Sequence, residues 1–429
     1  MPPPAPPVVS TSPVDRYVAS LRRPRIVYAI VLAVVVLVFG TIFVTVWARG
    51  SAAHATLHTV PSAPAGVPLA AAAATQTVAW RTGERAAEGT PQWLGTVITW
   101  SAHTLGGRNA RTGERTWSYT RSDRTVCAAG QVNGVAIALY ERTGSCDEVD
   151  AFDAGTGHRL WARTLDENGQ PIDGRPTVSF DSSALLVYSL HSLYAIGVGN
   201  GVDVLTFTRP GCTIERAVTG TAGVLISLEC GASVDCTGMK FCGRGTQLAL
   251  DKTADRAQNA PDDNKDQLAW NLIGYTGVPA SADTLVSAVQ PGSNVLDVLS
   301  AANGKVRHRV QLAPAPGSLT RLTATATDSA ELIWADGHVY TLPGGGASVS
   351  WVASSAVPPT VADDQSNSVP VLAQARVTVP AAGGATTINP ETGAVEGHTK
   401  LSGAASGAIV WPLGAGFLVA SATGTVVYR

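Results

Sequence analysis

The amino-acid sequence predicts an all-β protein, an eight-bladed β-propeller preceded by one transmembrane helix. Three observations carry this. Residues 26–47 form one uncharged apolar run, a turn-and-tryptophan block recurs at a spacing of 44 residues, and short alternating segments with no helical period lie between the blocks. The composition agrees: 45% hydrophobic and only 14% charged residues leave ample material for a core and exclude a solvated, disordered chain. A net charge of −2 gives no electrostatic footprint for nucleic acid.

Residues 1–25 open on a proline-rich run and then carry Arg16, Arg22, Arg23 and Arg25. Such a tail buries no core and is expected to be disordered and cytoplasmic. The run from Ile26 to Trp47 would span roughly 33 Å as a helix, about one hydrocarbon core. Four arginines precede it and only Arg49 follows closely, so the positive-inside bias puts the N-terminus in the cytoplasm and everything from Gly50 outside. Ala53-His54-Ala55 has the look of a cleavage site. The 22 apolar residues nevertheless exceed the roughly 7–15 of a signal-peptide core, which favours an uncleaved, single-pass anchor in the cell membrane. Residues 48–76, rich in Ala, Pro, Ser and Thr, read as a linker that holds an extracytoplasmic domain, 77–429, off the membrane.

Within that domain the block Asn109-Ala-Arg-Thr-Gly113-Glu-Arg-Thr-Trp117 recurs as Asp153-Ala-Gly-Thr-Gly157-His-Arg-Leu-Trp161, with looser copies at Gly197 to Val202, at Asp251 with a late Trp270, at Ser300 to Gly304, at Pro343 to Trp351 and at Asn389 to Gly393. The Asp or Asn side chain accepts backbone hydrogen bonds, and the glycine four residues later takes positive φ. Four short strands per repeat of this length are the signature of propeller blades. The 353 residues from Thr77 to Arg429 correspond to eight repeats. The last stretch, Ala408 to Tyr428, lacks a turn-and-tryptophan block, and Thr77-Val-Ala-Trp80 supplies the missing outermost strand, so that the N-terminal strand closes the ring.

The run Ala151-Phe-Asp153-Ala-Gly-Thr156-Gly157-His-Arg-Leu-Trp161 resembles the repeat of the quinoprotein dehydrogenase-like propellers, the PQQ repeat, at every fixed position, and the resemblance extends from about Thr77 onward. It implies a structural role for the motif, with Trp80, Trp117, Trp161 and Trp270 docking neighbouring blades and Asp153 and Gly157 shaping a turn. The repeat occurs in dehydrogenases and in non-catalytic scaffolds, so it specifies fold and leaves activity open.

Six cysteines, Cys127, Cys146, Cys212, Cys230, Cys236 and Cys242, all follow the apolar run, and an even number in an exported domain favours disulfides. Six allow 15 connectivities. The hairpin argument pairs Cys127 with Cys146 and Cys212 with Cys230, each bracketing one strand-turn-strand unit, and leaves Cys236 for Cys242. No closely paired zinc-ligand spacing occurs among them.

The sequence offers no catalytic, cofactor-binding or metal-binding residue. HExxH, GxSxG and phosphate-loop motifs are missing. Asp262, Asp263, Asn264 and Asp266 lack calcium-loop spacing, and Glu141, Asp147, Glu148 and Asp150 read as a solvated strand connection. Segments 231–244 and 252–267 read as insertions in the fourth blade. The expectation is a non-catalytic, membrane-anchored platform that binds an envelope protein or glycan, without cofactor or nucleic acid. The alternative is a membrane-bound PQQ-dependent oxidoreductase.

Overall fold

The computed structural model describes residues 54–429 except 68–71, 90–94, 143, 168–169, 173, 181–183, 209–211, 221–222, 231–244, 253–254, 260–270, 277–284, 290–293, 301–305, 314–321, 327–329, 344–347, 363–375 and 406; before residue 54 it describes Tyr28, Leu32 and Val35. Two compact units divide the chain, Met1–Thr56 and Leu57–Arg429. In the first, Tyr28, Leu32 and Val35 are helical and exposed. Among the described residues no helix is long and apolar enough to cross a membrane, and the rest of the 26–47 run lies outside them.

The second unit is an all-β propeller. Its sheets, in chain order, cover residues 85–121, 125–164, 177–208, 212–259, 271–311, 322–354, 360–401 and 409–428, and each is an antiparallel meander in which consecutive strands are neighbours. Each sheet packs against the next, and the last packs against the first. The expectation of an eight-bladed ring needs correction, since six four-stranded blades are found among the described residues. Two further sheets, the first and the seventh, have five strands. A separate two-stranded ribbon pairs Asp166–Glu167 with Gln170–Pro171.

Burial follows from stacking sheets face to face. A middle strand is covered on both faces, so Ala184–Tyr188 is buried at every position, a continuous apolar run. An outer strand is covered on one face only, and Arg159–Thr164 and Asp203–Thr208 alternate between exposed and half-buried residues. The core is therefore a set of layers between sheets. One contains Leu139, Val149, Leu185 and Ile196 between the second and third sheets; another contains Trp80, Val97, Trp411 and Val427 between the eighth and the first.

The ring closes through strand Val78–Thr82, which pairs antiparallel with Gly424–Tyr428 as the outermost strand of the eighth sheet. Thr77 and Arg429 exchange backbone hydrogen bonds of 3.0 and 2.9 Å. Just upstream, Thr75–Gln76 runs parallel to Lys400–Leu401 as the fifth strand of the seventh sheet. Much of the stretch read as a linker lies on the ring. The Val60 amide donates to the Thr156 carbonyl, Arg111 donates to the Gly66 carbonyl, and Val67 is buried among Trp80, Val97 and Trp411.

The fourth sheet departs from the expected repeat. Its outer strand is Asp255–Asn259, inside the segment read as an insertion, so that strand carries no tryptophan. Trp270 and residues 231–244, with Cys236 and Cys242, lie outside the described residues.

Trp80→Ala should cost about 3–5 kcal/mol of stability, whereas Val78→Ala, two residues away and 46% exposed, should stay within about 0.5 kcal/mol. Urea unfolding of both variants measures this. Equal effects would mean that the closing strand contributes through its backbone alone.

Candidate functional site

The tryptophans of the repeat act forward, onto the next sheet. Trp80 on the closing strand donates its indole N–H to the Ala110 carbonyl at 3.0 Å, Trp117 to Ala154 at 2.9 Å, Trp161 to Val198 at 2.8 Å and Trp351 to Pro390 at 2.9 Å. Each acceptor belongs to a turn whose glycine, Gly113, Gly157, Gly201 or Gly393, has φ between +69° and +76°. A Cβ at Gly157 would lie 2.6 Å from the Trp117 ring, so glycine is required for close approach as well as for φ. Asp153 builds its turn by accepting through Oδ1 from the amides of Gly155 and Thr156 and from the Thr156 hydroxyl. The motif is thus a socket, and the tryptophan that ends one block fills the socket of the next.

Cys127 and Cys146 form a disulfide with 6.4 Å between Cα atoms. It links the first strand of the second sheet to the third, across the middle strand, and each half-cystine lies at or beside a register shift. Cys212 is also disulfide-bonded, and it stands directly opposite Cys230 on the neighbouring strand. The two pairs therefore do not repeat one arrangement, despite their similar sequence separation.

The segment read as a solvated connection is the most unusual place in the ring. Glu148 and Asp150 lie in strand Ser145–Asp153, 7% and 0% exposed, where the sequence reading placed solvated carboxylates. Period two puts Glu148, Asp150 and Phe152 on one face of this strand and Trp117, Tyr119 and Arg121 on one face of the first sheet's outer strand. The two faces meet residue against residue. Tyr119 and Phe152 have ring centroids 4.8 Å apart, Trp117 stacks on Phe152 at 5.9 Å, and the fully buried Arg121 guanidinium bonds Glu148. Arg121 also holds Asp123 through Nε and Nη2 at 2.9 and 3.0 Å and lies over the Tyr140 ring at 5.7 Å. Arg124 pairs with Glu148 and reaches Asp147 at 3.7 Å, and Arg159 bonds Asp150.

This surrounding sets the protonation chemistry. Burial and the Asp150 carboxylate push the Tyr119 hydroxyl up to about 12, and the same two causes hold Tyr140 well above its ordinary value. Burial works against the Arg121 charge, but its bonds to Asp123 and Glu148 win and raise its pKa. Both tyrosines therefore stay neutral and Arg121 stays charged across the physiological range. Sequence inspection missed this constellation, although the alternation Trp117, Tyr119, Arg121 was a usable signal, since it puts an arginine on the same face as two core aromatics.

A second ion cluster stands near the ring closure. Glu84 accepts from Arg108 Nε at 3.0 Å, from Thr99 Oγ1 at 2.7 Å and from Arg115, while its own carbonyl accepts from Thr425 in the eighth sheet at 2.8 Å. Burial opposes the Glu84 charge, yet the bonds from Arg108 and Thr99 hold its pKa below the ordinary value. Among the described residues no group of three or more His, Cys, Asp or Glu side chains is arranged to hold a metal ion.

No protein-family model and no curated protein matches the chain. Among solved structures it is similar to BamB from Moraxella catarrhalis, with a TM-score of 0.46 and 15% identity over 87% of this chain and 99% of that one. It is similar to the computationally designed Ika8 protein, with a TM-score of 0.49 and 12% identity over 82% and 98%. It is also similar to apo AztD from Citrobacter koseri, with a TM-score of 0.45 and 9% identity over 79% and 89%.

Two outcomes are expected. Non-reducing peptide mapping should return Cys127 joined to Cys146 and Cys212 joined to Cys230; a Cys127 to Cys212 link would mean that the strand register is wrong. A carboxylate whose folded pKa lies below its unfolded value stabilises the fold above the unfolded value, and this contribution is lost as pH falls through the folded one. Glu84→Gln should accordingly lower the melting temperature at neutral pH, with the difference from wild type closing as pH falls below the ordinary glutamate range.

Proposed function

We propose that this chain is a membrane-anchored, extracytoplasmic β-propeller of the PQQ-repeat type that serves as a binding platform in the cell envelope. Counting the two five-stranded sheets as augmented blades makes it an eight-bladed ring. The observation that carries the reading is the construction of the second unit: a closed ring, fixed by strand exchange between Thr77 and Arg429 and by forward-docked tryptophans, holds its connecting loops on a rigid frame. Rigid frames with variable loops suit recognition, since the partner meets a preformed surface and little ordering entropy is lost on binding. The Cys127–Cys146 bridge favours an oxidising compartment, and the uncharged run 26–47 with its upstream arginines favours an anchor with the ring outside. Anchoring would confine the platform near the membrane and raise the effective concentration of an envelope partner, a protein or a glycan.

Two measurements test this. A tag at residue 5 should resist protease in intact cells while one after Arg429 is cleaved once any outer layer is permeabilised; the reverse pattern would overturn the orientation. Cross-linking in the native envelope, with residues substituted one at a time by a photoreactive amino acid, should give discrete adducts from one side of the ring. Adducts spread evenly over the surface, or none, would count against a platform. Dye reduction that depends on added PQQ and Ca²⁺ would favour the oxidoreductase instead.

A further inference from the structure

The cluster between the first and second sheets has an uneven charge count. Among the described residues, three guanidiniums, Arg121, Arg124 and Arg159, face four carboxyls, Asp123, Asp147, Glu148 and Asp150. The excess negative charge is not at the rim. Arg121 and Asp150 have fully buried side chains, whereas Asp123 is 27% exposed. Arg121 is committed to Asp123 and Glu148, and its nearest nitrogen stays 3.9 Å from Asp150 Oδ2, beyond hydrogen-bond reach. Arg159 bonds Asp150 through the other oxygen, Oδ1. Asp150 Oδ2 is therefore buried with no hydrogen-bond partner, and so is the Tyr140 hydroxyl oxygen on the adjacent strand of the same sheet. A buried carboxylate oxygen without a donor is unfavourable, and the least costly remedy is a proton.

We propose that this pocket is a proton-binding site: in the folded ring Asp150 keeps a proton on Oδ2 to higher pH than an exposed aspartate does, while Oδ1 accepts from Arg159. Among the described residues, the charged and titratable groups that act on Asp150 fit that assignment. From the first sheet come Tyr119 and Arg121, from its own sheet Tyr140 and Glu148, and from the outer strand Arg159. Tyr119 and Tyr140 stay neutral and supply no compensating charge. Burial is the largest influence on the Asp150 carboxyl and raises its pKa, Glu148 raises it further, and Arg159 and Arg121 oppose the rise without cancelling it. When the proton leaves to solvent, Asp150 becomes a buried carboxylate beside Glu148.

The sign of the linkage follows. A carboxyl whose folded pKa lies above its unfolded value favours the fold while it keeps the proton, fully below the unfolded value, and this stabilisation is lost as pH rises through the folded one. The seam should loosen on the alkaline side, the opposite of the Glu84 cluster. The assignment holds whatever the ring binds.

Infrared difference spectroscopy of the detergent-solubilised full chain tests it, because a protonated carboxyl has a carbonyl stretch separate from carboxylate bands and shifts in D₂O. A protonated-carboxyl band is expected to persist above the ordinary carboxylate range, to be lost in Asp150→Asn and to be retained in Glu148→Gln. The alkaline fall in melting temperature should flatten in Asp150→Asn. Should Asp150→Asn fail to fold, a triple variant, Glu88→Gln with Asp297→Asn and Glu331→Gln, removes other buried or desolvated carboxyls. A band that persists in it supports the proposal. A band that vanishes in the triple variant, stays in Asp150→Asn, or is missing from wild type above the ordinary carboxylate range overturns it.

Discussion

An indole N–H donated from the last strand of one sheet to a turn carbonyl of the next is the interaction on which the ring depends. Sheets stacked face to face need something that fixes both spacing and rotation, and apolar burial alone is indifferent to either. The tryptophan supplies both: its ring fills a layer between sheets, and its single donor has one partner to find. The socket is equally specific, because a turn glycine at positive φ leaves room for the ring and the Asp or Asn at the turn's start holds the carbonyl in place. Trp80 extends the device across the closure, so the eighth-to-first seam is docked in the same way as the first-to-second.

The first-to-second seam adds charge to that device. Beyond the Trp117 socket the same two strands continue as Tyr119 against Phe152 and then Arg121 against Glu148, so one interface passes from aromatic to ionic within a few residues. Buried ion pairs add little net stability, since desolvation offsets their attraction. What they add is directionality, because a misregistered neighbour would strand Arg121 without an acceptor. The Cys127–Cys146 bridge reinforces the same sheet by tying its first strand to the third beside Asp147.

Much of this was legible in the sequence because it is written locally. Asp153, Gly157 and Trp161 fall within nine residues, and turn chemistry with period-two alternation identifies strands from neighbours alone. The closing role of Trp80 was legible by a different route, the missing final block. What stayed hidden depends on pairing between sheets. Asp150 reads as one of several carboxylates near a turn until the strand containing Tyr119 and Arg121 is laid across it. Glu84 drew no reading from the sequence, since its partners Arg108 and Thr99 come to it only when the first sheet folds. The added strand at Thr75–Gln76 had no signal, since a run of Ala, Thr and Pro pairs through its backbone. In the fourth sheet the repeat misled, because the outer strand, Asp255–Asn259, has none of the residues by which the others were recognised.

The exchange of hydrogen bonds between Thr77 and Arg429 joins residues 352 apart in sequence. Its consequence belongs to synthesis. The strand at Val78–Thr82 emerges from the ribosome before any sheet exists, yet its partner, Gly424–Tyr428, is made only after the seven intervening sheets. Until that partner is made both edges stand open, and contacts this distant form slowly because the loop entropy is paid before the contact repays it. A nascent chain of this design exposes two unpaired strand edges at once, so the interval before closure is when it is most vulnerable to pairing with another copy of itself.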